Sequence, residues 1–530
     1  MRILLTSAAI LFPAMAQADY TLHILHINDL HSRIEAINGF DSTCSAEDAA
    51  ENKCFGGMAR VKTAINTLRD EIRAAGGNVI VLDAGDQFQG SLYYSTYKSG
   101  LIAELMNGIG FDAMAVGNHE FDDGPEELAT FADALEAPLV SGNVDLSASN
   151  ALAGKVENHL VLEVGGEKIG IVSALATDTV ETSSPGPTVT FQDEIESLRA
   201  DVQVLTDAGV TKVIALNHVG FSLDQIIASD VAGVDAVVGG HSHTLMLAEP
   251  EEGQAQYPTV ISLGDETLVP VVQAYAYSKY VGHLVLTFDD AGKVTEIDGA
   301  PVLLDASVVP DAAMAAHIAE LGGPIEELKN RVVAETTGVI DGSREACRAV
   351  ECQMGNLVAE AMLARVADQG VTIALANGGG LRASIDAGPV TMGEVLTVLP
   401  FQNTLATFET DGAVLVAALE NGVSDLENGA GRFLQVAGMK YTFDAGAPAG
   451  ARVSDVMVLV GGDAWAPIDP GATYLVVTNN YVRNGGDGFE MFRSAAKAYD
   501  FGPDLADVVA EYMAGQGAYT PFVDGRITRK

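Results

Sequence analysis

The chain has 530 residues, 48% hydrophobic and 6% aromatic, which is globular in composition and too long for one ordinary core. Its 72 acidic and 29 basic residues leave a formal charge of −43. Such a field argues against a nucleic acid polymer or an anionic membrane as partner, and an anionic substrate would need locally placed cations to meet it.

The opening MRILLTSAAILFPAMAQADY sets Arg2 before an apolar run from Ile3 to Ala14, followed by Ala16-Gln17-Ala18. This is the layout of a secretory signal cut after Ala18, and the run falls short of the roughly 20 apolar residues that span a bilayer. The expected product is periplasmic or secreted. No later segment reads as transmembrane, and the tail DGRITRK carries no hydrophobic anchor signal. The four cysteines form two close pairs, Cys44/Cys54 and Cys347/Cys352. In an exported chain these read as two local disulfides rather than a four-cysteine zinc site, for which the C-x-x-C spacing is missing.

From Tyr20 to about Asp290, short β-branched runs alternate with helical segments. The runs LHILHIND, NVIVLDAGD, FDAMAVGNHE, KVIALNHVG and VDAVVGGHSH predict buried strands, and MARVKTAINTLRDEIRAAGG and SGLIAELMNGIG predict helices that close near glycines. Alternation of this kind implies a layered α/β domain, assigned to residues 19–309. Residues 310–331, PDAAMAAHIAELGGPIEELKNR, read as a connector helix broken at Gly322-Gly323-Pro324. A second, α+β domain follows over residues 332–530, with a helix in QMGNLVAEAMLARVADQG and strands in VTIALANGG and ATYLVVTNNYV.

Each strand of the first domain ends in groups that can hold a metal: Asp29, His31 and the neighbouring Arg33; Asp83 and Asp86; Asn118, His119 and Asp122; His218; His241 and His243. Ligands gather outside the carboxyl ends of strands in open α/β sheets, so this placement is coherent. Five of the ten histidines fall in these five motifs, which makes chance a poor account. Mixed carboxylates and imidazoles suit zinc or manganese better than calcium, and a shared carboxylate would set two ions about 3.5–4 Å apart. Glu120 and Asp123 read as loop or surface carboxylates, and Asp83 as support for the Asp86 loop or as a plain strand end.

In this order D-x-H, G-D, G-N-H-E, N-H and G-H-x-H, joined by FGGMAR, CRAVECQMGNL, NGGGLR and NGGDGF, resemble the secreted 5′-nucleotidases of the calcineurin-like metallophosphoesterase class. The resemblance implies a four-layered α/β/β/α N-terminal domain and a C-terminal substrate-binding domain that rotates about the connector. It implies two divalent ions, zinc or manganese ahead of magnesium or cobalt. Asp29, His31, Asp86 and His243 would hold one; Asp86, Asn118, His218 and His241 would hold the other. Relatives often carry an amide where His243 stands. His119, oriented by Asp122, would stabilise the transition state. In the second domain Phe401 and Tyr481 would clamp the base, Asp487 would accept from ribose, Asn377 would meet the base, and Arg348 and Arg382, with Arg33 as a weaker candidate, would face phosphate. Animal relatives commonly have phenylalanine at the position of Tyr481.

The implied activity is hydrolysis of nucleoside 5′-monophosphates by a monomer or homodimer. Rival expectations are a pyrophosphatase for UDP-sugars, NAD or dinucleotides, a 2′,3′-cyclic nucleotide phosphodiesterase, and a periplasmic nucleotide-binding protein without catalysis.

Overall fold

The computed structural model describes residues 19–37, 44, 46–183, 185–251, 254–264, 267–399, 401, 403–461, 464–500 and 502–530. The expected signal segment, residues 1–18, lies outside them.

Two β-sheets form the centre of the N-terminal half. One has the order Val294–Gly299, Tyr280–Phe288, Tyr20–Ile27, Asn78–Asp83, Ala113–Ala115, Leu139–Val140, Val156–Glu157. Its strands from Tyr20–Ile27 onward run parallel to one another, and Tyr280–Phe288 pairs antiparallel with Tyr20–Ile27. The other has the order Thr259–Ser262, Leu268–Val272, Ala236–Val238, Lys212–Leu216, Glu167–Val172, His159–Val164, parallel through its four central strands.

Strand alternation assigns side chains to layers. Leu22, Ile24, Ile80 and Leu82 of the first sheet share a core with Ile169, Ile171, Ile214 and Leu216 of the second, so the sheets pack face to face. The residues between them, Leu25, Ile27, Val79 and Val81, turn the other way onto helices Met58–Ala74 and Leu92–Asn107. Val172, Val213 and Ala215 likewise meet helices Glu194–Asp207 and Phe221–Asp230. The result is the α/β/β/α stack, and burial on both faces explains why these strands read as near-continuous apolar runs.

Helix Ala312–Lys329 joins the halves and corrects the expected break: it continues through Gly322, Gly323 and Pro324. Proline removes one backbone donor, but the helix is braced from outside there. The Tyr93 and Tyr97 hydroxyls donate to the carbonyls of Ile318 (3.3 Å) and Leu321 (2.8 Å). The Asp311 side chain caps its first turn by accepting from Met314 N–H at 2.9 Å.

In the C-terminal half a five-stranded sheet has the order Leu434–Ala437, Ile373–Asn377, Thr473–Asn479, Leu405–Asp411, Ala496–Tyr499. Helices Gln353–Arg365 and Leu505–Gly515 cover one face, and Gly412–Gly422 covers the other. Both disulfides, Cys44–Cys54 and Cys347–Cys352, are present. Among the described residues no helix is long and apolar enough to cross a membrane.

The turn that follows Thr473–Asn479 is fixed by a buried ion pair. Arg483 Nε donates to both Asp500 carboxylate oxygens at 2.7 and 2.9 Å, and its Nη2 donates to the same group. An Arg483→Met variant would leave a buried charge without its partner and should lose about 3–5 kcal/mol of unfolding free energy in urea titration.

Candidate active site

Turns leaving the carboxyl ends of the parallel strands bring the predicted residues together. Asp29 and His31 follow Tyr20–Ile27, Asp86 follows Asn78–Asp83, and Asn118 follows Ala113–Ala115. From the second sheet, His218 follows Lys212–Leu216, and His241 and His243 follow Ala236–Val238. Sharp reversals there put Asp29, His31, Asp86, His241 and His243 all at positive φ, between 49° and 74°. Non-glycine residues adopt that region at a cost of about 1–3 kcal/mol each, and such strain concentrates at functional sites.

Two outer donor groups result, Asp29/His31/His243 and Asp86/His218/His241, joined by a third, His31/Asp86/His119. His31 Nε2 lies 3.0 Å from His243 Nε2, and His243 Nε2 lies 3.2 Å from Asp29 Oδ1. Asp86 Oδ2 is 3.0 Å from His218 Nε2 and 3.8 Å from His31 Nε2, which places Asp86 between the groups. Asn118 Oδ1 completes the second, 2.9 Å from His241 Nδ1 and 3.2 Å from His218 Nε2. His218 Nδ1 lies 2.7 Å from the Ala84 carbonyl, which can only accept. The ring must therefore donate from Nδ1, which fixes its orientation and makes Nε2 the nitrogen that faces the cluster. Buried carboxylates and imidazole nitrogens converging this closely fit divalent cations, because they present more acceptors than they can satisfy among themselves.

One reading of the sequence is corrected here. Glu120 is not a surface carboxylate: it is 0% exposed. Its oxygens accept from the backbone N–H groups of Asp86 (2.9 Å), Gln87 (2.7 Å), Phe88 (3.2 Å) and Gly117 (2.7 Å). Gly117 is dictated by the same crowding, since a Cβ there would stand 2.3 Å from Asp86 Oδ1. Asp83 is buried at its strand end and accepts from Gly85 N–H at 3.0 Å, supporting the turn to Asp86. Asp123 lies at the surface as expected, accepting from Tyr94 and Lys98, each at 2.9 Å.

His119 turns away from Asn118. Its Nδ1 sits 2.7 Å from Asp122 Oδ2, and Ser183 Oγ donates to the other Asp122 oxygen at 2.9 Å. Burial opposes a charged ring, but the Asp122 and Asp86 carboxylates prevail and push the His119 pKa up to about 10.

Other supporting residues carried no signal in the sequence. Asn28 donates to Asp29 Oδ2 at 2.6 Å and accepts from Ala274 N–H at 2.7 Å. The Tyr277 ring lies against His31 and His243 at centroid distances of 5.7 and 5.2 Å, with the Arg33 guanidinium 5.2 Å from its centre. Arg33 thus lies beside the cluster.

The remaining predicted residues gather in the C-terminal half. Phe401, Asn377 and Asn479 line one hollow. Arg382 places its guanidinium 5.4 Å from the centre of the Phe401 ring. Asn377 donates to Asp487 at 2.7 Å, and Tyr481 donates to the same carboxylate at 3.1 Å. Arg348 packs beside Gly378, next to Asn377; it is 7% exposed and donates to the Gly429 carbonyl at 3.2 Å.

A four-layered α/β core with this cluster at its strand ends defines a metallophosphoesterase. The family described as calcineurin-like phosphoesterase matches residues 22–245, and the 5′-nucleotidase C-terminal domain matches residues 332–494. A 5′-nucleotidase from Diplobatis ommata is 37% identical, over 96% of this chain and 90% of its own length. The human 5′-nucleotidase is 36% identical, over 99% and 93%. Among solved structures, a 5′-nucleotidase precursor from Thermus thermophilus is 39% identical with a TM-score of 0.67, covering 96% of this chain and 99% of that one. The NAD nucleotidase of Haemophilus influenzae is 27% identical with a TM-score of 0.71, covering 97% and 99%. The chain belongs to the 5′-nucleotidase family and is a hydrolase. The family implies divalent metal ions, for which the two donor groups are the candidate site.

Removing the carboxylate that gathers four N–H groups would leave buried donors unsatisfied at about 1–3 kcal/mol each. A Glu120→Ala variant should therefore melt well below the parent protein in calorimetry, by a larger margin than Asp123→Ala.

Proposed function

We propose that this protein is an exported, two-metal 5′-nucleotidase that hydrolyses nucleoside 5′-monophosphates such as AMP to nucleoside and phosphate. The observation that carries this reading is Asp86 standing between two imidazole-bearing donor groups, with His119 alongside them.

In this reading Asp29, His31, Asp86 and His243 hold one ion, and Asp86, Asn118, His218 and His241 the other, zinc or manganese before magnesium or cobalt. When bound, the ions supply Lewis-acid polarisation of the phosphate and lower the pKa of water to near neutrality. The protein's own part is orientation and charge. Glu120 fixes the Asp86 loop against the Asn118 turn. Asn28 and the N–H of His241 hold the Asp29 carboxylate. His119, charged and aimed by Asp122, donates to a phosphoryl oxygen as negative charge spreads over the group, and Ser183 holds Asp122 in turn.

Phe401 and Tyr481 take the base between their rings, Asn377 meets its edge, and Asp487 accepts from the ribose. Arg382 offers phosphate a planar fork of donors, with Arg348 and Arg33 as further cations. Residues 1–18 direct export, consistent with the two disulfides. The protein acts as a monomer or homodimer. Likeness to the NAD nucleotidase gives pyrophosphate cleavage a second place, because the same metal cluster serves either bond.

Metal-stripped protein should release no phosphate from AMP and recover on addition of Mn²⁺ or Zn²⁺. A panel of AMP, ADP, UDP-glucose, NAD and a cyclic nucleotide ranks the substrates, and preference for NAD over AMP would reverse the assignment. His119→Ala should lower kcat by about 10²- to 10³-fold, the loss typical of one oriented donor to a transition-state oxyanion. Phe401→Ala should chiefly raise KM. An exchange of those two effects would contradict the roles given.

A further inference from the structure

The carboxylate of Asp487 is fixed by an unbroken chain of directed hydrogen bonds. The N–H of Val482 donates to Asn479 Oδ1 at 2.8 Å, and Asn479 Nδ2 donates to Asn377 Oδ1 at 2.9 Å. Asn377 Nδ2 then donates to Asp487 Oδ2 at 2.7 Å. On the other side the Tyr481 hydroxyl donates to Asp487 Oδ1 and accepts the N–H of Asp487, both at 3.1 Å. The Asp487 carbonyl accepts from Asn421 Nδ2, also at 3.1 Å.

This arrangement has an exacting backbone. Asp487 takes φ 54° and ψ 22° among Gly485, Gly486 and Gly488. A Cβ on Gly486 would stand 2.5 Å from the Tyr481 ring, so the glycine lets that ring lie flat on the loop. Tyr481 is nonetheless 46% exposed, and its outer side is open to a ligand. Gly379 and Gly431 press on the carboxylate, where a Cβ on either would come within 3.3 and 3.2 Å of Asp487 Oδ2.

The direction of each bond follows from the chemistry of the groups. A backbone N–H can only donate, so the Asn479 amide must present oxygen to Val482 and nitrogen to Asn377. Asn377 must then turn its nitrogen to Asp487. A carboxylate has about four lone-pair sites, and the two donors here occupy one on each oxygen. One site per oxygen remains, a pair spaced to accept two neighbouring hydroxyls. Without these bonds the terminal torsion of an aspartate is broad, and a ligand would have to order it on binding.

Resting on the nucleotidase reading above, we propose that the Tyr481 hydroxyl and Asn479 are positioning residues for sugar recognition. They pre-aim Asp487 at a vicinal diol and give the enzyme a preference for ribonucleotides over 2′-deoxyribonucleotides. A site whose acceptors are arranged for a substrate hydroxyl favours the substrate that carries it, since the analogue without it forgoes one hydrogen bond. Tyr481 therefore does more than present a ring: its hydroxyl, which phenylalanine would lack, tightens the discrimination that Asp487 makes.

The test is steady-state kinetics on AMP and 2′-deoxy-AMP for the metal-loaded parent protein, Tyr481→Phe and Asn479→Asp. The aspartate keeps an acceptor for Val482 N–H but has no donor for Asn377. The parent protein should favour AMP in kcat/KM. Each variant should lower that AMP to deoxy-AMP ratio by about 3- to 10-fold, the size of one lost hydrogen bond, and chiefly through KM for AMP rather than kcat. A parent protein that treats both substrates alike overturns the proposal, as does a Tyr481→Phe ratio equal to the parent's; AMP hydrolysis would survive in both cases and leave the functional reading standing. Failure of the parent protein to hydrolyse AMP at all overturns that reading and this proposal with it.

Discussion

Four backbone N–H groups pointing at one buried carboxylate hold the candidate active site in shape. Glu120 gathers the amides of Asp86, Gln87, Phe88 and Gly117, so the turn that presents Asp86 and the turn that presents Asn118 are fastened to a single side chain. The geometry is costly by itself. The strained backbone at Asp29, His31, Asp86, His241 and His243 persists only where surrounding bonds over-determine it. Glu120, Asn28 and the His218–Ala84 contact supply those bonds, and the parallel strands beneath them supply a rigid floor.

Much of this was legible in the sequence because two patterns coincide there. Apolar runs marked strands buried on both faces, and each run ended in an aspartate, asparagine or histidine. The positions of Asp29, His31, Asp86, Asn118, His218, His241 and His243 could be read from that coincidence before any fold was known. The pairing of His119 with Asp122 was implied by the resemblance to the secreted 5′-nucleotidases, and chain geometry added only that His119 cannot face the same way as Asn118.

What stayed hidden depended on contacts between distant segments. Glu120 is one acid among 72, and nothing local distinguishes it from a solvated one. Only the approach of the Asp86 loop, more than thirty positions earlier, buries it. Ser183 and Tyr277 are similar cases, each meeting the site from another loop. The predicted break at Gly322-Gly323-Pro324 failed for the same reason. Local propensity favoured interruption, and the hydroxyls of Tyr93 and Tyr97, over two hundred residues away, brace the helix instead.

That braced helix has a mechanical consequence. Its start is tied to the N-terminal half through Asp311 and Lys62 at 3.2 Å, and its middle through the two tyrosines. Just past its end, the Arg331 carbonyl accepts from Met392 N–H at 2.9 Å and so belongs to the C-terminal half. Between these anchorages stands Asn330, whose side chain folds back onto the Glu326 carbonyl at 2.8 Å. A torque exerted by one half on the other would therefore be carried by a helix held at both ends, since Gly393 of the C-terminal half lies so close that a Cβ on it would stand 2.9 Å from the Lys329 carbonyl.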